Sequence, residues 1–381
     1  MTRIQPEVEA FARIKVLGVG GSGSNTIDHM IRSKVKGVEF VCINTDAQDL
    51  HNSLAPKKIH IGKNLTRGLG AGMNPEVGKQ AAEETKEEIQ EVIKGADMVF
   101  VASGFGGGTG SGAAPIIART AKENGALTVA VITKPFEFEG AQRAKIAEEG
   151  MNELKDAVDA MIVVPNDKIL GIIQKETNFH SAFALCDEIL RQAVEGISDL
   201  ITLPGIVNVD FADVKAVMKN AGSALMGIGT AQGEKRAEEA AKTAINSPLL
   251  DVSIDGAKGI LFAIAGGQDM TMVEIQEAAK IITESVDDYA KIIFGAFYDD
   301  RLKKNELKVT VVASGFPEDA YTAKKTPNLF EDTNTKESKN GKTEVGKKKS
   351  NAPASKTEDE KAKDWEAIPA FLRRSQKEQE E

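Results

Sequence analysis

Met98-Val99-Phe100-Val101-Ala102-Ser103-Gly104-Phe105-Gly106-Gly107-Gly108-Thr109-Gly110-Ser111-Gly112-Ala113-Ala114-Pro115-Ile116-Ile117-Ala118 decides the fold. The apolar run Met98–Ala102 reads as a buried strand, and the stretch from Ala113 reads as a helix. Between them lies a turn built mostly of glycine. Without Cβ atoms in the way, the backbone N–H groups of such a turn can close on an anion. The helix N-terminus that follows adds unpaired N–H groups and partial positive charge. This is a phosphate cradle. It carries no lysine, so it is not the P-loop GxxxxGK[ST].

Upstream, Ile14–Val19 reads as another strand, followed by Gly18-Val19-Gly20-Gly21-Ser22-Gly23-Ser24-Asn25. That run satisfies G-x-G-x-x-G, and Asp46 follows the next strand at about the spacing of a dinucleotide-binding fold. An NAD-dependent Rossmann-fold oxidoreductase is therefore one reading. A dinucleotide needs one such loop for its pyrophosphate, whereas two suit a nucleotide with a longer phosphate tail.

The remaining pattern organises the chain. Candidate strands Val38–Asn44, Thr128–Thr133 and Met161–Pro165 alternate with helices, the clearest over Asn74–Lys94 with Asn74 as N-cap and Pro75 at the first helical position. Such alternation predicts a parallel sheet covered on both faces, with ligands at the carboxyl ends of its strands. A long helix is expected from Asn178 to Ile201, interrupted at Gly196. A smaller α/β region follows, with strands Ser223–Gly227, Gly259–Ala265, Lys291–Phe297 and Leu307–Ala313 and helices starting near Asp213, Gly233 and Thr271. After Phe316 apolar residues become sparse, which predicts a disordered linker. A final apolar cluster, Trp365, Ile368, Phe371 and Leu372, reads as a helix-in-groove docking peptide.

Composition narrows the function. A formal net charge of −9 over 381 residues argues against a nucleic-acid partner. The two cysteines, Cys42 and Cys186, have no CxxC spacing, which fits a reducing cytoplasm. His29, His51, His60 and His180 lack metal-ligand spacing and are read as structural or exposed, so no protein-held metal is expected. Met1 to Ala12 has no signal-peptide apolar run, and no stretch approaches the ~20 residues of a membrane span.

Several blocks together resemble the tubulin/FtsZ family of GTPases, in particular its bacterial cell-division branch. They are GGGTGSG at 106–112, NTDAQ at 44–48, GLGAGMNPEVG at 68–78, TKPFEFEG at 133–140, PNDK at 165–168, NVDFADV at 208–214 and IPAFLRR at 368–374. The match spans about Arg13 to Phe316 plus the terminal peptide. Ser22 departs from the family pattern, which usually has glycine there; Ala367 stands where aspartate is usual and Trp365 where tyrosine is.

The resemblance implies GTP/GDP as ligand, with Mg²⁺. Gly20, Gly21, Ser22, Gly23, Ser24 and Asn25 of the first loop and Gly104, Gly106, Gly107, Gly108, Thr109 and Gly110 of the second would surround the phosphates. Glu139 and Arg143 would contact ribose and phosphate, and Asn166, Phe183 and Asp187 would form the guanine pocket. Asn208, Asp210 and Asp213 would act on the GTP of the neighbouring subunit in a head-to-tail protofilament, since within one subunit that loop lies beyond the long helix.

The expected organisation is an N-terminal extension (1–12), a Rossmann-like GTP-binding domain with a parallel sheet (13–177), a long central helix (178–202) and a second, smaller α/β activation domain (203–316). A disordered linker (317–363) and a C-terminal partner-docking peptide (364–381) complete it. By resemblance the peptide, Asp364–Arg374, would bind membrane tethers such as the actin-like FtsA. The protein would then sit in the cytoplasm at the midcell division site. A third reading is a polymer that keeps nucleotide without hydrolysing it; Asp210 and Asp213, two acids three residues apart at a helix start, argue against it.

Overall fold

The alternation of apolar strands and amphipathic stretches builds a single sheet in the computed structural model, which describes residues 12–171, 178–247, 254, 256–287 and 289–316. The strands are β1 (Ile14–Val19), β2 (Val38–Asn44), β3 (Lys57–His60), β4 (Met98–Gly104), β5 (Leu127–Lys134), β6 (Ala160–Pro165), β7 (Gly222–Gln232), β8 (Gly259–Gly266), β9 (Lys291–Tyr298) and β10 (Glu306–Ser314). The helices are α1 (Gly20–Arg32), α2 (Ala47–Asn52), α3 (Lys63–Thr66), α4 (Pro75–Glu84), α5 (Lys86–Ile93), α6 (Gly108–Glu123), α7 (Ala141–Ala157), α8 (Asn166–Leu170), α9 (Phe179–Thr202), α10 (Phe211–Met218), α11 (Arg236–Ile245) and α12 (Met272–Thr283). Strand order is β3-β2-β1-β4-β5-β6-β7-β10-β8-β9.

From β1 to β6 every pairing is parallel. Successive side chains of these strands leave on opposite faces, and helices take up both. Val16, Phe100 and Val129 pack with Ile27 of α1 and Leu190 and Val194 of α9. Leu17, Val101 and Ala130 pack on the other face with Ile89 of α5 and Ile117 of α6. Burial on both faces is why these strands read as unbroken apolar runs.

The C-terminal half is mixed rather than parallel: β10 runs antiparallel to β7 and β8, while β8 and β9 are parallel. β7 joins it to the rest by a short parallel pairing, Ala160↔Gly222 to Ile162↔Ala224. Phe262 and Ile264 pack there against Ala240 of α11 and Ile275 of α12.

Local features differ from the sequence reading at several points. The helix expected over Asn74–Lys94 divides at Thr85, whose Oγ1 accepts from Gly62 N at 3.2 Å. α9 runs through Gly196 without a break; a Cβ there would stand 2.8 Å from Thr310 Cγ2, so the glycine serves close approach to β10. β3, an edge strand opening with two lysines, carried no apolar signal. The expected linker (317–363) and docking peptide (364–381) lie outside the described residues. No described helix is long and apolar enough to cross a membrane.

Gly112 fixes the packing of α6 on α4, because a Cβ there would overlap the Pro75 carbonyl oxygen and sit 2.9 Å from Lys79 N. Backbone cannot yield as a flexible side chain can. Gly112→Ala is expected to lower stability by about 1–3 kcal/mol, read as a lower urea midpoint; an unchanged midpoint would contradict this packing.

Candidate functional site

The chain leaves β1 toward β2 and β3 on one side, then returns to place β4 on the other. That reversal opens a crevice at the carboxyl ends of β1 and β4, where open parallel sheets bind ligands. A cavity of about 260 Å³ lies there. Val19, Gly20, Gly21 and Ser22 line it from β1 and α1, and Gly104, Phe105, Gly107, Gly108, Thr109 and Gly110 from β4 and α6. Thr133 near the end of β5 and Pro135 just after it continue the lining, Asn166 follows β6, and Glu139, Arg143 and Phe183 close the rim.

α1 and α6 both begin at this cavity, and neither has a side-chain N-cap or an acid in its first turn. The first N–H groups of a helix have no intrahelical acceptor, so two sets of unpaired donors and two positive dipole ends converge on one space. Side chains cap α2 (Asp46), α4 (Asn74), α9 (Asn178), α10 (Asp210) and α12 (Thr271), whereas α3, α5, α7, α8 and α11 lack one as well, so what marks α1 and α6 is that both start on one cavity. The two loops are also tied to each other. Ser103 Oγ donates to Val19 O at 3.0 Å across them, and within the second loop Ser111 Oγ accepts from Gly106 N at 2.9 Å. Thr45 Oγ1 and Thr109 Oγ1 stand 2.6 Å apart.

Asn166 is 6% exposed, and its Oδ1 has no hydrogen-bond partner among the described residues. A buried orphan acceptor is costly, and this one lines the cavity, so a ligand bearing a donor would satisfy it. Glu139 accepts from Arg143 Nη1 at 2.8 Å and from Phe136 N at 3.0 Å, which holds the arginine at the rim. Phe183 meets Phe136 edge to face at 5.3 Å, and Phe136 stacks on Phe138 at 4.9 Å.

Other candidate residues stand back from the cavity. Gly23 and Ser24 are buried inside α1, where Ser24 Oγ donates to Gly20 O at 3.0 Å; Asn25 is exposed beyond them. Gly106 is buried behind the second loop with a left-handed φ of 101°. Asp187 lies one helical turn past Phe183 on α9 and accepts from Thr26 Oγ1 at 2.8 Å. Burial raises its pKa, against the lowering effect of Thr26 and of the His29 charge.

Asn208, Asp210 and Asp213 are exposed on the segment after α9 and do not line the cavity. Asn208 Oδ1 accepts from Gly205 N at 2.6 Å, and Asp210 Oδ1 from Asp213 N at 2.8 Å. The pairing of Val207 with Ala296 pins this segment to β9. Thr133, Pro135 and Thr45 lie in the blocks TKPFEFEG and NTDAQ, but the sequence assigned them no role in the site. Their place at the end of a predicted strand, or within two residues of it, was the signal that could have assigned one.

Beside the cavity, α9 carries a chain of ion pairs. Glu188 accepts from His29 Nε2 at 2.9 Å and from Arg191 Nη2 at 2.6 Å. Arg191 reaches Glu195, Glu195 pairs with Arg301, and Arg301 holds Asp199. Burial would push the Glu188 carboxyl up, but hydrogen bonds from Arg191 and His29 and the Arg191 charge bring it down from 4.5 to about 2. A carboxylate more acidic when folded stabilises above its unfolded pKa, and that contribution fades as pH falls from about 4.5 toward 2. Glu188→Gln is therefore expected to reduce urea stability at pH 7 and to lose less than the parent between pH 5 and pH 3. Parallel stability curves would overturn this assignment.

Residues 13–174 match the model for the Tubulin/FtsZ family, GTPase domain, and residues 222–317 that for the FtsZ family, C-terminal domain. Among solved structures, an empty FtsZ dimer from M. jannaschii is 49% identical, with a TM-score of 0.77 over 81% of this chain and 89% of its own. A point mutant of FtsZ from M. jannaschii matches equally well, at 49% identity and TM-score 0.77, over 80% of this chain and 92% of its own. CetZ2 from Haloferax volcanii shares the fold at 22% identity and TM-score 0.69, over 80% of this chain and 94% of its own. The chain belongs to the tubulin/FtsZ family, with that family's GTPase domain in its N-terminal half and the FtsZ C-terminal domain in its C-terminal half.

Proposed function

We propose that this chain binds GTP in the cavity at β1 and β4, assembles head to tail into protofilaments, and hydrolyses GTP at the contacts between subunits. The observation that carries the reading is the convergence of two uncapped helix N-termini on one cavity. Their backbone donors suit a run of phosphates, each oxygen meeting N–H groups already held in place. Asn166 Oδ1 would accept from the nucleoside, Arg143 would meet ribose or phosphate, and Phe183 would lie against the base. Asp187 would accept from guanine N1–H and its 2-amino group, a donor pair that adenine lacks.

The separation of Asp210 and Asp213 from the cavity supports catalysis in trans. In a head-to-tail contact their carboxylates would orient and polarise the water attacking the neighbour's GTP, with Asn208 beside them. A contact of this heterologous kind does not close on itself and so extends into a filament. The M. jannaschii relative, solved as a dimer, supports self-association. No group of three or more His, Cys, Asp or Glu among the described residues could hold a metal. A Mg²⁺ ion bound with the nucleotide would thus be held by phosphate oxygens and water, neutralising charge on the transferring phosphate. In the cell such filaments would build the division (Z) ring on the cytoplasmic face of the membrane at midcell, tethered through Asp364–Arg374 by FtsA or a similar protein.

The oxidoreductase reading needs Asp46 free to bind a ribose, and its Oδ1 instead accepts from Gln48 N at 2.9 Å and Asp49 N at 3.1 Å as the cap of α2. Equilibrium binding of GTP, ATP and NADH, paired with GTP-dependent sedimentation, tests the proposal. It expects GTP alone to bind tightly and to drive pelleting. Tight NADH binding, or GTP binding with no assembly at any concentration, would reject it.

A further inference from the structure

We propose that Thr45 is a positioning residue for the nucleotide phosphates, acting through Thr109; this rests on the nucleotide reading above. Thr45 follows β2 and is completely buried, whereas Thr109 lies in the first turn of α6 and lines the cavity. Their hydroxyl oxygens are 2.6 Å apart. A threonine hydroxyl has one hydrogen to give and two lone pairs to receive with. Thr109 Oγ1 is the only hydrogen-bond partner of the Thr45 hydroxyl among the described residues. Were Thr109 the donor, the hydrogen of Thr45 would be buried without an acceptor, a costly arrangement.

Thr45 therefore donates, and its hydrogen occupies one lone pair of Thr109. The Thr109 hydrogen is left to turn toward the cavity, where it can be given to an anionic oxygen. The backbone of Thr45 is itself held: the single hydroxyl hydrogen of Thr66 is shared between Gly62 O at 3.1 Å and Thr45 O at 3.2 Å. The segment from Gly62 to Leu69 is closed onto this point by Ala47 N donating to Gly68 O at 3.1 Å and by the pairing of Asp46 with Leu69. Thr45 thus sets the rotamer and proton direction of a pocket hydroxyl without touching the ligand.

The test is GDP affinity, measured on the full chain so that hydrolysis does not intervene, for Thr45→Val, Thr45→Ser, Thr109→Val and the Thr45→Val/Thr109→Val double variant. Thermal melts check that each variant folds. Thr109→Val removes a hydrogen bond to a charged oxygen and is expected to weaken GDP binding about thirtyfold. Thr45→Val is expected to weaken it about fivefold, and Thr45→Ser, which keeps the donor, to restore it within twofold. Because Thr45 acts only through Thr109, the double variant is expected to match Thr109→Val alone. Multiplicative losses in the double variant, or a folded Thr45→Ser as weak as Thr45→Val, would overturn the proposal while leaving the nucleotide reading in place. Failure of the unaltered chain to bind GDP would remove that reading and this one with it.

Discussion

Asp210→Ala and Asp210→Asn are both expected to keep GTP affinity and to lose GTP hydrolysis by about 10²–10⁴-fold, the usual contribution of a group that handles the attacking water. The two substitutions separate two jobs of one side chain. Asp210 caps α10 by accepting from Asp213 N at 2.8 Å, and it is exposed, as the proposed role in trans requires. Asparagine caps a helix as well as aspartate, whereas alanine costs about 1 kcal/mol. Asp210→Asn should therefore melt like the parent and still be inactive, and its filaments should persist because GTP is not consumed. Unfolding by urea, GTP binding and phosphate release together read all three properties. Full hydrolysis by Asp210→Asn, or loss of GTP binding in a folded Asp210 variant, would remove this residue from the catalytic role.

Asp187→Asn is expected to change which base is accepted. The parent carboxylate can take two donors from guanine, and charge-assisted hydrogen bonds contribute about 1.5–3 kcal/mol each. Replacing one oxygen with NH₂ sets a donor against the guanine 2-amino group, so GTP affinity should fall on the order of 10²-fold. The same amide complements xanthine, which offers N1–H as donor and a 2-oxo acceptor. XTP binding should rise as GTP binding falls. Thr26, which donates to Asp187 Oδ1 at 2.8 Å, can hold the amide oxygen in the same place. Equal losses for GTP and XTP would mean that Asp187 supports the fold near Thr26 and does not read the base.

The N-terminal sheet was legible because its strands are buried on both faces and therefore carry uninterrupted apolar runs between glycine turns; β1, Ile14–Val19, lies where its sequence put it. β3 was hidden because an exposed edge strand beginning Lys57-Lys58 has no such run. β7 was read as five residues and extends from Gly222 to Gln232, since its glycines and its half-exposed end mask the alternation. Gly196 looked like a helix breaker. Its reason, contact with Thr310, involves a residue more than a hundred positions away. Thr85 divides a helix for a reason that is also non-local, its bond with Gly62, 23 positions earlier.

For the candidate site, the glycine loops announced themselves by composition, whereas Thr133, Pro135 and Thr45, although inside the blocks TKPFEFEG and NTDAQ, gained a place at the site only once four strands were laid side by side. Ser22 shows the limit in the other direction. Its Oγ would stand 2.6 Å from a Cβ on Gly104, so this departure from the family pattern fits because the facing residue is itself glycine.

The rate of phosphate release from GTP and Mg²⁺, followed across a range of protein concentrations, tests the central claim most directly. A site completed between subunits predicts almost no turnover below a critical concentration and a steep rise above it, in step with pelletable polymer. A rate proportional to protein concentration from the lowest value upward would place all the chemistry within one subunit and contradict the account.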